Sequence, residues 1–376
     1  MRILNINYND SFYLETLKKA LEIFSPSGEE SEIGNFLKDL LIKLGFNNVK
    51  KDNIGNVSGE IGSGEPVILL SSHMDTINDK LEVHEDNEKI YGRGAVDAKG
   101  PLFSLLFGAS KFVDKNLNGK IIFAGIVQEE ISTIGIETFL NSISGIDYAI
   151  FSEPNNTNNI VVAYKGRSLI KILVESKKGP GHPANAWLFN NSIEAGFRFF
   201  QQIKNLCETK YKGRTPYFSV IPTITEFQSA EGKNIIPSKA EFYIDLRYPS
   251  GIDVDLLFKD IDKEKLNFIE KNSDFLVKIE ILSKVLPYSV NPKLKFIQTL
   301  CNSIESILET KCKLTRKTGT SFMNVIGNKF KIPTVSIGPG DPRLEHTKNE
   351  YIYKNDFLNG IKIVEKFISN FLGFKD

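Results

Sequence analysis

The spacing of apolar residues divides the chain into helical and strand-like segments. In some segments apolar residues recur every three or four positions, which is the repeat of an amphipathic helix. Between them lie short apolar runs rich in Val and Ile, as strands have when both faces of a sheet are covered. The pattern predicts helices at 10–24, 30–44, 98–115, 293–309 and 355–372, and strands at 56–61, 66–71, 120–127, 148–151 and 333–337. Strands that alternate with helices favour an α/β fold with a largely parallel sheet covered by helices.

The middle of the chain has a different order of elements. From Ser168 the pattern predicts strand, helix, two strands, helix and strand, an order typical of a compact α+β sandwich of the ferredoxin-like kind. After Val290 the helix, strand and helix pattern returns. The sequence therefore predicts one α/β domain built from both ends of the chain, 1–167 and 285–376, with a smaller domain, 168–284, inserted between them.

Ser27 is predicted to begin the second helix. It stands three positions before Glu30 in the stretch Ser25-Pro-Ser-Gly-Glu-Glu. A serine and a glutamate at this spacing form a capping box, in which each side chain accepts a hydrogen bond from a free backbone N–H group at the start of the helix. We therefore expect Ser27 to be the N-cap of this helix.

The charge and hydropathy of the chain exclude two classes of partner. The 376 residues include 47 Lys or Arg and 46 Asp or Glu, so the formal net charge is +1. This balance gives no overall field that would attract nucleic acid or anionic lipid. No segment has the pattern of a signal peptide or the roughly 18 consecutive apolar residues of a transmembrane helix. We expect a cytoplasmic protein that binds neither nucleic acid nor a membrane.

The cysteines follow no pattern of a disulfide framework or a zinc knuckle. Cys207, Cys301 and Cys312 are odd in number, widely spaced and without a Cys-x-x-Cys pair. A disulfide framework and a zinc knuckle both need paired cysteines at short, regular spacings. We expect three reduced thiols.

Acidic and imidazole side chains follow the predicted strands of the α/β domain. Ligands gather at the ends of the strands in a parallel sheet, so polar residues in these positions are candidates for chemistry. The candidates are His73 and Asp75 after the second strand, Asp97 in the glycine-rich loop from Gly92 to Gly100, Glu129 and Glu130, Glu153, and His346 near the C-terminus.

Each of these residues taken alone has an ordinary structural interpretation. A histidine at the end of a strand is often a surface residue, and paired glutamates are often a solvated face. Asp97 could cap the helix that follows it. Taken together, two imidazoles and three carboxylates are the ligands that a pair of zinc ions with a bridging aspartate would need. Core packing alone does not require an acid or imidazole after so many strands.

The ordered motifs resemble the M20 family of dinuclear zinc amidohydrolases and exopeptidases. The motifs are HMDT, GRGAVDAKG, QEE, SEP and a late EH, with an inserted domain between the last two. The stretches GRGAVDAKGPL, KTGTS and IGPGD resemble those of the family members that act in lysine and arginine biosynthesis. These members release lysine or ornithine from the C-terminal glutamate of the small acidic amino-group carrier protein LysW. The resemblance implies a zinc-exopeptidase-like catalytic domain, a dimerisation or lid domain, and a homodimer.

The resemblance also implies the metal ligands and the roles of their neighbours. His73 and Glu153 would hold one zinc ion of the subunit, Glu130 and His346 the second, and Asp97 would bridge the two. Cobalt or manganese could occupy the same nitrogen and oxygen ligands.

Three further residues have implied catalytic roles. Asp75 would hydrogen-bond the second ring nitrogen of His73 and fix its tautomer. Glu129 would be the general base, taking a proton from water and returning it to the leaving amine. Since neighbouring residues of a strand point in opposite directions, Glu130 could bind metal while Glu129 faces the water. His182 would donate a hydrogen bond to the oxyanion in the partner subunit's site, although a histidine in a Gly/Pro-rich loop could also be structural.

A last group of residues is implied to bind the carboxylate of the substrate. Each could equally be structural, and lysines in loops are mostly solvated. The group comprises Lys165, Asn234, Arg247, Gly319, Thr320 and Ser321. Close relatives tend to have an aspartate where this chain has Phe322, which leaves the choice between lysine and ornithine open.

The sequence leaves three alternative functions open. The first is a deacylase of small N-acyl amino acids, such as acetylornithine or succinyl-diaminopimelate. The second is a nucleotide-binding protein, but the glycines of Gly92 to Gly100 match neither phosphate-binding motif and flank an acid that would repel phosphate. The third is a metal-free binding or scaffold relative, which would not need every acid.

Overall fold

The structure, a computed structural model, describes residues 8–229 and 231–375. The chain divides into two compact units. The large unit comprises Met1–Val162, Val290–Thr315 and Ser321–Asp376, and the small unit comprises Ala163–Ser289 and Arg316–Thr320. Residues 1–7 and 376 of the predicted catalytic domain lie outside the described ranges, and the predicted limits of the inserted domain, 168 and 284, stay a prediction.

The helices follow the predicted periodic segments, with two additions. The helices α4 and α8 were missed because each has only eight residues. The helices are α1 Asp10–Glu22, α2 Ser31–Leu44, α3 Lys99–Ser110, α4 Ile134–Asn141, α5 Ser192–Lys210, α6 Val254–Lys271, α7 Lys295–Leu308, α8 Phe322–Lys329 and α9 Lys354–Phe371. Short 3₁₀ helices occur at Pro183–Leu188, Pro216–Phe218 and Pro342–Leu344. None of the helices in the described ranges has both the length and the apolar character of a membrane span.

The strands form one six-stranded sheet, one four-stranded sheet and two three-stranded sheets. They are β1 Asn47–Lys51, β2 Val57–Ser63, β3 Val67–His73, β4 His84–Glu85, β5 Lys89–Tyr91, β6 Gly119–Ile126, β7 Tyr148–Phe151, β8 Asn159–Tyr164, β9 Gly166–Ser176, β10 Ile221–Gln228, β11 Lys239–Tyr248, β12 Phe275–Val285, β13 Tyr288–Ser289, β14 Lys313–Lys317, β15 Thr334–Val335 and β16 Tyr351–Tyr353. The three-stranded sheets have the orders β13-β8-β14 and β16-β5-β4.

The six-stranded sheet of the large unit has the order β1-β2-β6-β3-β7-β15. The strands β6, β3, β7 and β15 run parallel, while β1 and β2 continue the sheet antiparallel. Six of the seven residues of β3 are buried, as expected for a strand with both faces covered. His73 pairs in register with Ile126 at the end of β6, and Ser71 pairs with Phe151 at the end of β7. The loops that follow these three strands therefore start side by side.

The small unit has the predicted order of strand, helix, two strands, helix and strand. Its sheet has the order β10-β11-β9-β12 and is antiparallel throughout. Burial alternates strictly along β9, so one face of the sheet is covered and the other is more open. The buried side chains of this sheet share one hydrophobic core with those of α5 and α6.

The capping box expected at Ser27 is wrong. The helix α2 begins at Ser31, and its N-cap, Glu30, makes no hydrogen bond of this kind from its side chain. The Ser27 hydroxyl instead donates to Asp75 Oδ2 at 2.7 Å, and Glu30 Oε1 accepts from Gln128 N at 3.0 Å. A buried carboxylate needs donors more than an exposed helix end needs a cap, so the long-range contacts prevail over the local rule.

The contact between α3 and α9 requires a glycine at position 108. Every residue of α3 is buried. A Cβ atom at Gly108 would lie 2.5 Å from Val364 Cβ and 2.9 Å from the backbone oxygen of Ile361. Because Ile361 contributes backbone, the neighbour cannot move aside as a flexible side chain would.

We predict that Gly108→Ala lowers the free energy of unfolding by about 1–3 kcal/mol through overpacking. Gly34→Ala in α2 is the matched control, because a Cβ there would be no closer than 3.4 Å to Lys51 Cε or Nζ. This control should leave stability unchanged or raise it by up to about 1 kcal/mol, since Ala has the higher helix propensity. Denaturant unfolding of both variants measures the difference. Equal stability of the two would contradict the close packing.

Candidate metal centre

The five predicted ligands meet in the large unit at the carboxyl ends of the parallel strands. His73 Nε2 lies 3.1 Å from Asp97 Oδ1 and 3.9 Å from Glu153 Oε2. His346 Nε2 lies 3.1 Å from Asp97 Oδ2 and 3.1 Å from Glu130 Oε1. Each oxygen of Asp97 thus faces a different imidazole. The arrangement has two halves that share Asp97, as a pair of bridged cations would require.

The donor atoms fit divalent cations in type and in spacing. Ligand atoms of His73, Asp97 and Glu130 lie within 4.8 Å of one another. Imidazole nitrogen and carboxylate oxygen are ligands that zinc accepts. Asp97 does not cap α3, because the N-cap is Ala98 and no side chain completes it. The alternative role for Asp97 as a helix cap is therefore wrong, and its carboxylate is directed to the two histidines.

The two imidazoles compensate the negative charge of the acids. The carboxylates of Asp97 and Glu130 raise the pKa of His346 to about 10. Burial alone would lower the pKa of His73, but hydrogen bonds to Asp75 and Asp97 outweigh it and raise this pKa well above its usual value. Burial would raise the pKa of Asp97, but its contacts with both histidines lower it. Metal binding to such a cluster has to displace the imidazole protons.

Asp75 connects His73 to the loop that carries the two glutamates. Its carboxylate is completely buried and lies 3.4 Å from His73 Nδ1, while its backbone oxygen is closer to the same atom, at 3.0 Å. Oδ1 accepts from Glu129 N at 3.0 Å, and Oδ2 accepts from Glu130 N at 3.1 Å and from the Ser27 hydroxyl at 2.7 Å. The sequence predicted only the contact with the histidine ring. Asp75 in addition fixes two consecutive backbone amides.

The expectation that Glu129 and Glu130 lie on a strand is wrong. The strand β6 ends at Ile126, and both glutamates lie in the turn that follows. Gln128 has a φ of 60°, a left-handed conformation that is uncommon outside glycine and that turns the chain before the pair. The separation of their roles therefore depends on this turn and on Asp75 rather than on strand alternation.

Glu129 has a strongly perturbed carboxyl group. Burial raises its pKa to about 8; the charge of His73 opposes this rise, and the negative charges of Glu130, Asp97 and Asp75 add to it. A carboxyl group with a pKa in this range can hold a proton near neutral pH, as a general acid and base must.

Glu350 and Arg93 support the centre and were missed by the sequence analysis. Glu350 is completely buried, and its Oε1 accepts from Val96 N at 2.9 Å and from Asp97 N at 3.1 Å. Its Oε2 accepts from Arg93 Nη1 at 2.7 Å, and Arg93 Nη2 donates to Asp79 Oδ2 at 2.8 Å. Arg93 lies in the quoted glycine-rich motif, but Glu350 has no signal beyond its place four residues after His346.

The structure brings together two of the predicted residues of the small unit, His182 and Asn234. Their side chains approach within 3.5 Å at His182 Nε2 and Asn234 Nδ2, and a bridge between Gly181 and Ile236 joins their loops. His182 Nδ1 accepts from Ala184 N at 3.1 Å. A neutral ring with this acceptor has its proton on Nε2 and can donate from there, so in this tautomer the 3.5 Å approach of Asn234 Nδ2 is a contact and not a hydrogen bond.

Arg247 and Lys165 are already engaged within the small unit. Arg247 Nε lies 2.6 Å from Asp245 Oδ1, and Arg167 Nε lies 2.7 Å from the other oxygen of Asp245. Lys165 is completely buried and donates to the backbone oxygen of Ser219 at 2.7 Å. Burial, with a smaller effect of the Arg247 charge, lowers the pKa of Lys165 to about 8. Lys165 is thus not the solvated loop lysine of the alternative interpretation.

The stretch from Gly319 to Ser321 leads into α8. The Ser321 hydroxyl accepts from Met323 N at 3.1 Å, and Ser321 N donates to Asn324 Oδ1 at 3.1 Å, so Ser321 caps this helix. Gly319 has no atom within 4 Å of the position of a Cβ, whereas Thr320 is half-buried. Phe322 is buried and packs on Phe151 with ring centroids 5.3 Å apart. Its side chain belongs to the core of the large unit, where an aspartate would not be accommodated.

The geometry and the comparisons with known proteins agree on the class. The site has two imidazoles and three acids at the edge of a parallel sheet, and one of the acids, Asp97, contacts both imidazoles. Such an arrangement is typical of a metal-dependent hydrolase. The family model described as peptidase family M20/M25/M40 matches residues 69–370. The chain belongs to this family and is a hydrolase that acts on amide bonds. The resemblance stated from the motifs is confirmed.

Curated relatives match almost the whole chain. A LysW-lysine/LysW-ornithine hydrolase from Saccharolobus solfataricus is 31% identical over 354 residues, which cover 93% of this chain and 92% of that protein. A Pyrococcus abyssi protein with a name for the same activity is 30% identical over 369 residues, covering 96% of this chain and 94% of that protein. The names of these relatives indicate that they act on substrates linked to LysW.

Solved structures share the fold at low sequence identity. Aminopeptidase PepT from Bacillus cereus has a TM-score of 0.80 at 18% identity, covering 96% of this chain and 98% of that chain. A dinuclear metal-binding peptidase of the M20 family from Bacillus subtilis has a TM-score of 0.73 at 14% identity, covering 96% and 97%. These similarities confirm the predicted fold class, an α/β catalytic domain with a second, smaller domain.

We predict that Asp75→Asn weakens metal binding and lowers turnover by about 10–100-fold, the usual effect of losing a residue that orients metal ligands. The amide nitrogen cannot accept from the backbone N–H of Glu130 or from the Ser27 hydroxyl. Ser27→Ala is the control, because it removes one donor and leaves the carboxylate with both backbone amides. Metal titration against a competing chelator measures the affinity of each variant. Equal losses in the two variants would contradict the role of Asp75 in holding the turn.

Proposed function

We propose that the chain is a zinc-dependent hydrolase that releases lysine, ornithine or both from the C-terminal glutamate of LysW, in lysine and arginine biosynthesis. The observation that carries the proposal is a complete set of converging metal ligands in a chain that is about 30% identical, over nearly its full length, to LysW-lysine/LysW-ornithine hydrolases. The location would be the cytoplasm, where biosynthetic carrier proteins are available.

The residues of the centre divide between two zinc ions. His73 and Glu153 would hold the first and Glu130 and His346 the second, with Asp97 shared. The distances of 3.1 Å from each oxygen of Asp97 to a different imidazole support this division. Bound cations would lower the pKa of the attacking water and polarise the amide carbonyl. Cobalt or manganese would suit the same donors.

Glu129 is the proposed base. Its carboxylate takes a proton from the attacking water, whose oxygen bonds to the amide carbon, and returns the proton to the nitrogen as the C–N bond breaks. The position of Glu129 next to Glu130 and its raised pKa support a role in holding and moving this proton. Asp75 keeps the turn of both glutamates in place.

His182 is proposed to donate from Nε2 to the oxygen of the attacked carbonyl. The acceptor role of its Nδ1 supports this tautomer. In this proposal the histidine serves the site of the partner subunit, so the protein is a homodimer. Asn234, which lies close to His182, is proposed to bind the carboxylate of the substrate.

Arg247, Lys165 and the stretch Gly319–Ser321 are proposed to bind the carboxylate of the substrate. Arg247 would contribute a guanidinium group, although its Nε and Nη2 already donate to the two oxygens of Asp245. Lys165 would act mainly by adding positive charge beside Arg247, since its amine is buried against Ser219. Thr320 and Ser321 would add hydroxyl groups.

A nucleotide-binding function is not supported by the loop from Gly92 to Gly100. Its backbone N–H groups already have partners: Val96 N and Asp97 N donate to Glu350, and Gly100 N donates to Gly94 O. A phosphate would need such groups to be available. A metal-free scaffold would have no need to gather three acids at one point, where they repel one another.

Side-by-side assays of four substrates test the proposed function. We expect the zinc-loaded chain to hydrolyse LysW-linked lysine and LysW-linked ornithine with a higher kcat/KM than acetylornithine or succinyl-diaminopimelate, because the carrier offers additional binding surface. Release of the free amino acid is the readout. LysW with an unmodified C-terminal glutamate is the control for background release. A higher kcat/KM on either small N-acyl amino acid would overturn the carrier-linked assignment in favour of a deacylase.

We predict that Glu129→Gln keeps its metal and loses turnover by about 10²–10⁴-fold, the usual contribution of a general base. Glu130→Gln is the matched variant one residue further, and it should lose metal because it removes a ligand. Elemental analysis and the kcat of both variants distinguish the two roles. Equal metal loss in both variants would show that the assignment of base and ligand is wrong.

A further inference from the structure

Two of the three cysteines lie side by side in the large unit. The Sγ atoms of Cys301 and Cys312, eleven positions apart in the chain, are separated by 2.7 Å. None of the three cysteines, all in the described ranges, forms a disulfide in the structure. Cys301 and Cys312 are partly exposed, whereas Cys207 is buried in the core of the small unit. The close approach was not foreseen, because the spacing matches no known motif.

The backbone around the pair holds the two thiols together. Cys301 lies on α7, which ends at Leu308, and Cys312 directly precedes β14. Glu309 has a φ of 52° and donates its N–H to the backbone oxygen of Glu305 at 3.0 Å, which turns the chain back toward the helix. The Glu305 carboxylate then accepts from Cys312 N at 3.1 Å. Glu305 therefore holds both ends of the turn, through its backbone oxygen to Glu309 and through its carboxylate to Cys312.

We propose that Cys301 and Cys312 are an oxidation site that closes to an intrachain disulfide and joins the middle of α7 to the residue that precedes β14. A disulfide bond is about 2.05 Å long, so the sulfur atoms need to approach by only about 0.7 Å. The proposal rests on this geometry and is independent of the proposed substrate.

The oxidant is a low-molecular-weight disulfide. The thiolate of Cys301 attacks one sulfur of this disulfide and releases the other as a reduced thiol. The thiolate of Cys312 then attacks Cys301 Sγ and releases the second reduced thiol. Two protons and two electrons leave the pair, and the oxidant takes up both. The Cys312 thiol hydrogen-bonds Cys301 and lowers its pKa, which favours Cys301 as the first attacking group.

The cross-link would restrict a segment that leads to the proposed substrate loop. The strand β14 ends at Lys317, two positions before Gly319. A disulfide that closes the loop between α7 and β14 reduces the freedom of the unfolded chain, and so raises stability. It would also keep the start of β14 next to α7.

Peptide mapping tests the proposal directly. The full-length protein is incubated with oxidised glutathione or with a reductant, unfolded in the presence of an alkylating agent, and digested with trypsin. Cleavage after Lys295, Lys311 and Lys313 places Cys301 in peptide 296–311 and Cys312 in the dipeptide 312–313. We expect the oxidised sample to contain these two peptides joined, with a mass about 2 Da below their sum, and Cys207 to be alkylated in both samples. Alkylation of all three cysteines after oxidation, or a link to Cys207, would overturn the proposal.

Thermal unfolding gives a second, independent measurement. The oxidised protein should have a Tm a few degrees above that of the reduced protein. Cys301→Ser and Cys312→Ser should each abolish this difference, and Cys207→Ala is the matched control that should keep it. An oxidant-dependent shift that survives in Cys301→Ser, or is lost in Cys207→Ala, would contradict the assignment of the pair.

Discussion

The shared position of Asp97 is the constraint on which the candidate centre depends. Each of its two carboxylate oxygens lies 3.1 Å from a different imidazole, so a shift of Asp97 toward one half of the centre would withdraw it from the other half. Its own segment is an irregular turn and could not fix it alone. Glu350 binds the backbone N–H groups of Val96 and Asp97, and Arg93 balances the buried charge of Glu350. Glu350 therefore sets the position of Asp97, although in the described residues its own contacts are with Arg93 and backbone N–H groups and not with an imidazole.

The parallel sheet explains why acids from distant parts of the chain can meet there. The register of β3 with β6 and β7 places the carboxyl ends of three strands side by side. His73 at the end of β3, and Glu130 and Glu153 in the loops after β6 and β7, therefore lie at the same edge. Gathering carboxylates in a buried place is unfavourable unless positive charge accompanies them. The two imidazoles supply this charge, as the raised pKa of His346 reflects. Divalent cations would meet the same need more strongly, so the unfavourable cluster and the affinity for metal have one cause.

How well the sequence predicts this site depends on how far apart in the chain the interacting residues are. His73 and Glu153 were predictable because an apolar run that ends in a polar residue marks the edge of a sheet. The conformation around Glu129 was not, because the strand ends three residues earlier and Asp75 determines the turn. The local rule failed for Ser27, whose hydroxyl serves a carboxylate 48 positions away. Glu350 acts on Asp97 over 253 positions, and no periodicity records such a contact.

Glu129 and Glu130 are chemically identical neighbours, so only their surroundings can separate a base from a metal ligand. Three successive backbone amides, from Gln128 to Glu130, donate to carboxylates of Glu30 and Asp75. With the backbone held in this way, the two side chains can differ only through their own torsions. Glu130 reaches His346 at 3.1 Å, whereas Glu129 is placed where burial raises its pKa to about 8. A raised pKa means a higher affinity for a proton, which suits the base proposed at Glu129. The clamped turn is thus compatible with the two different roles proposed for Glu129 and Glu130.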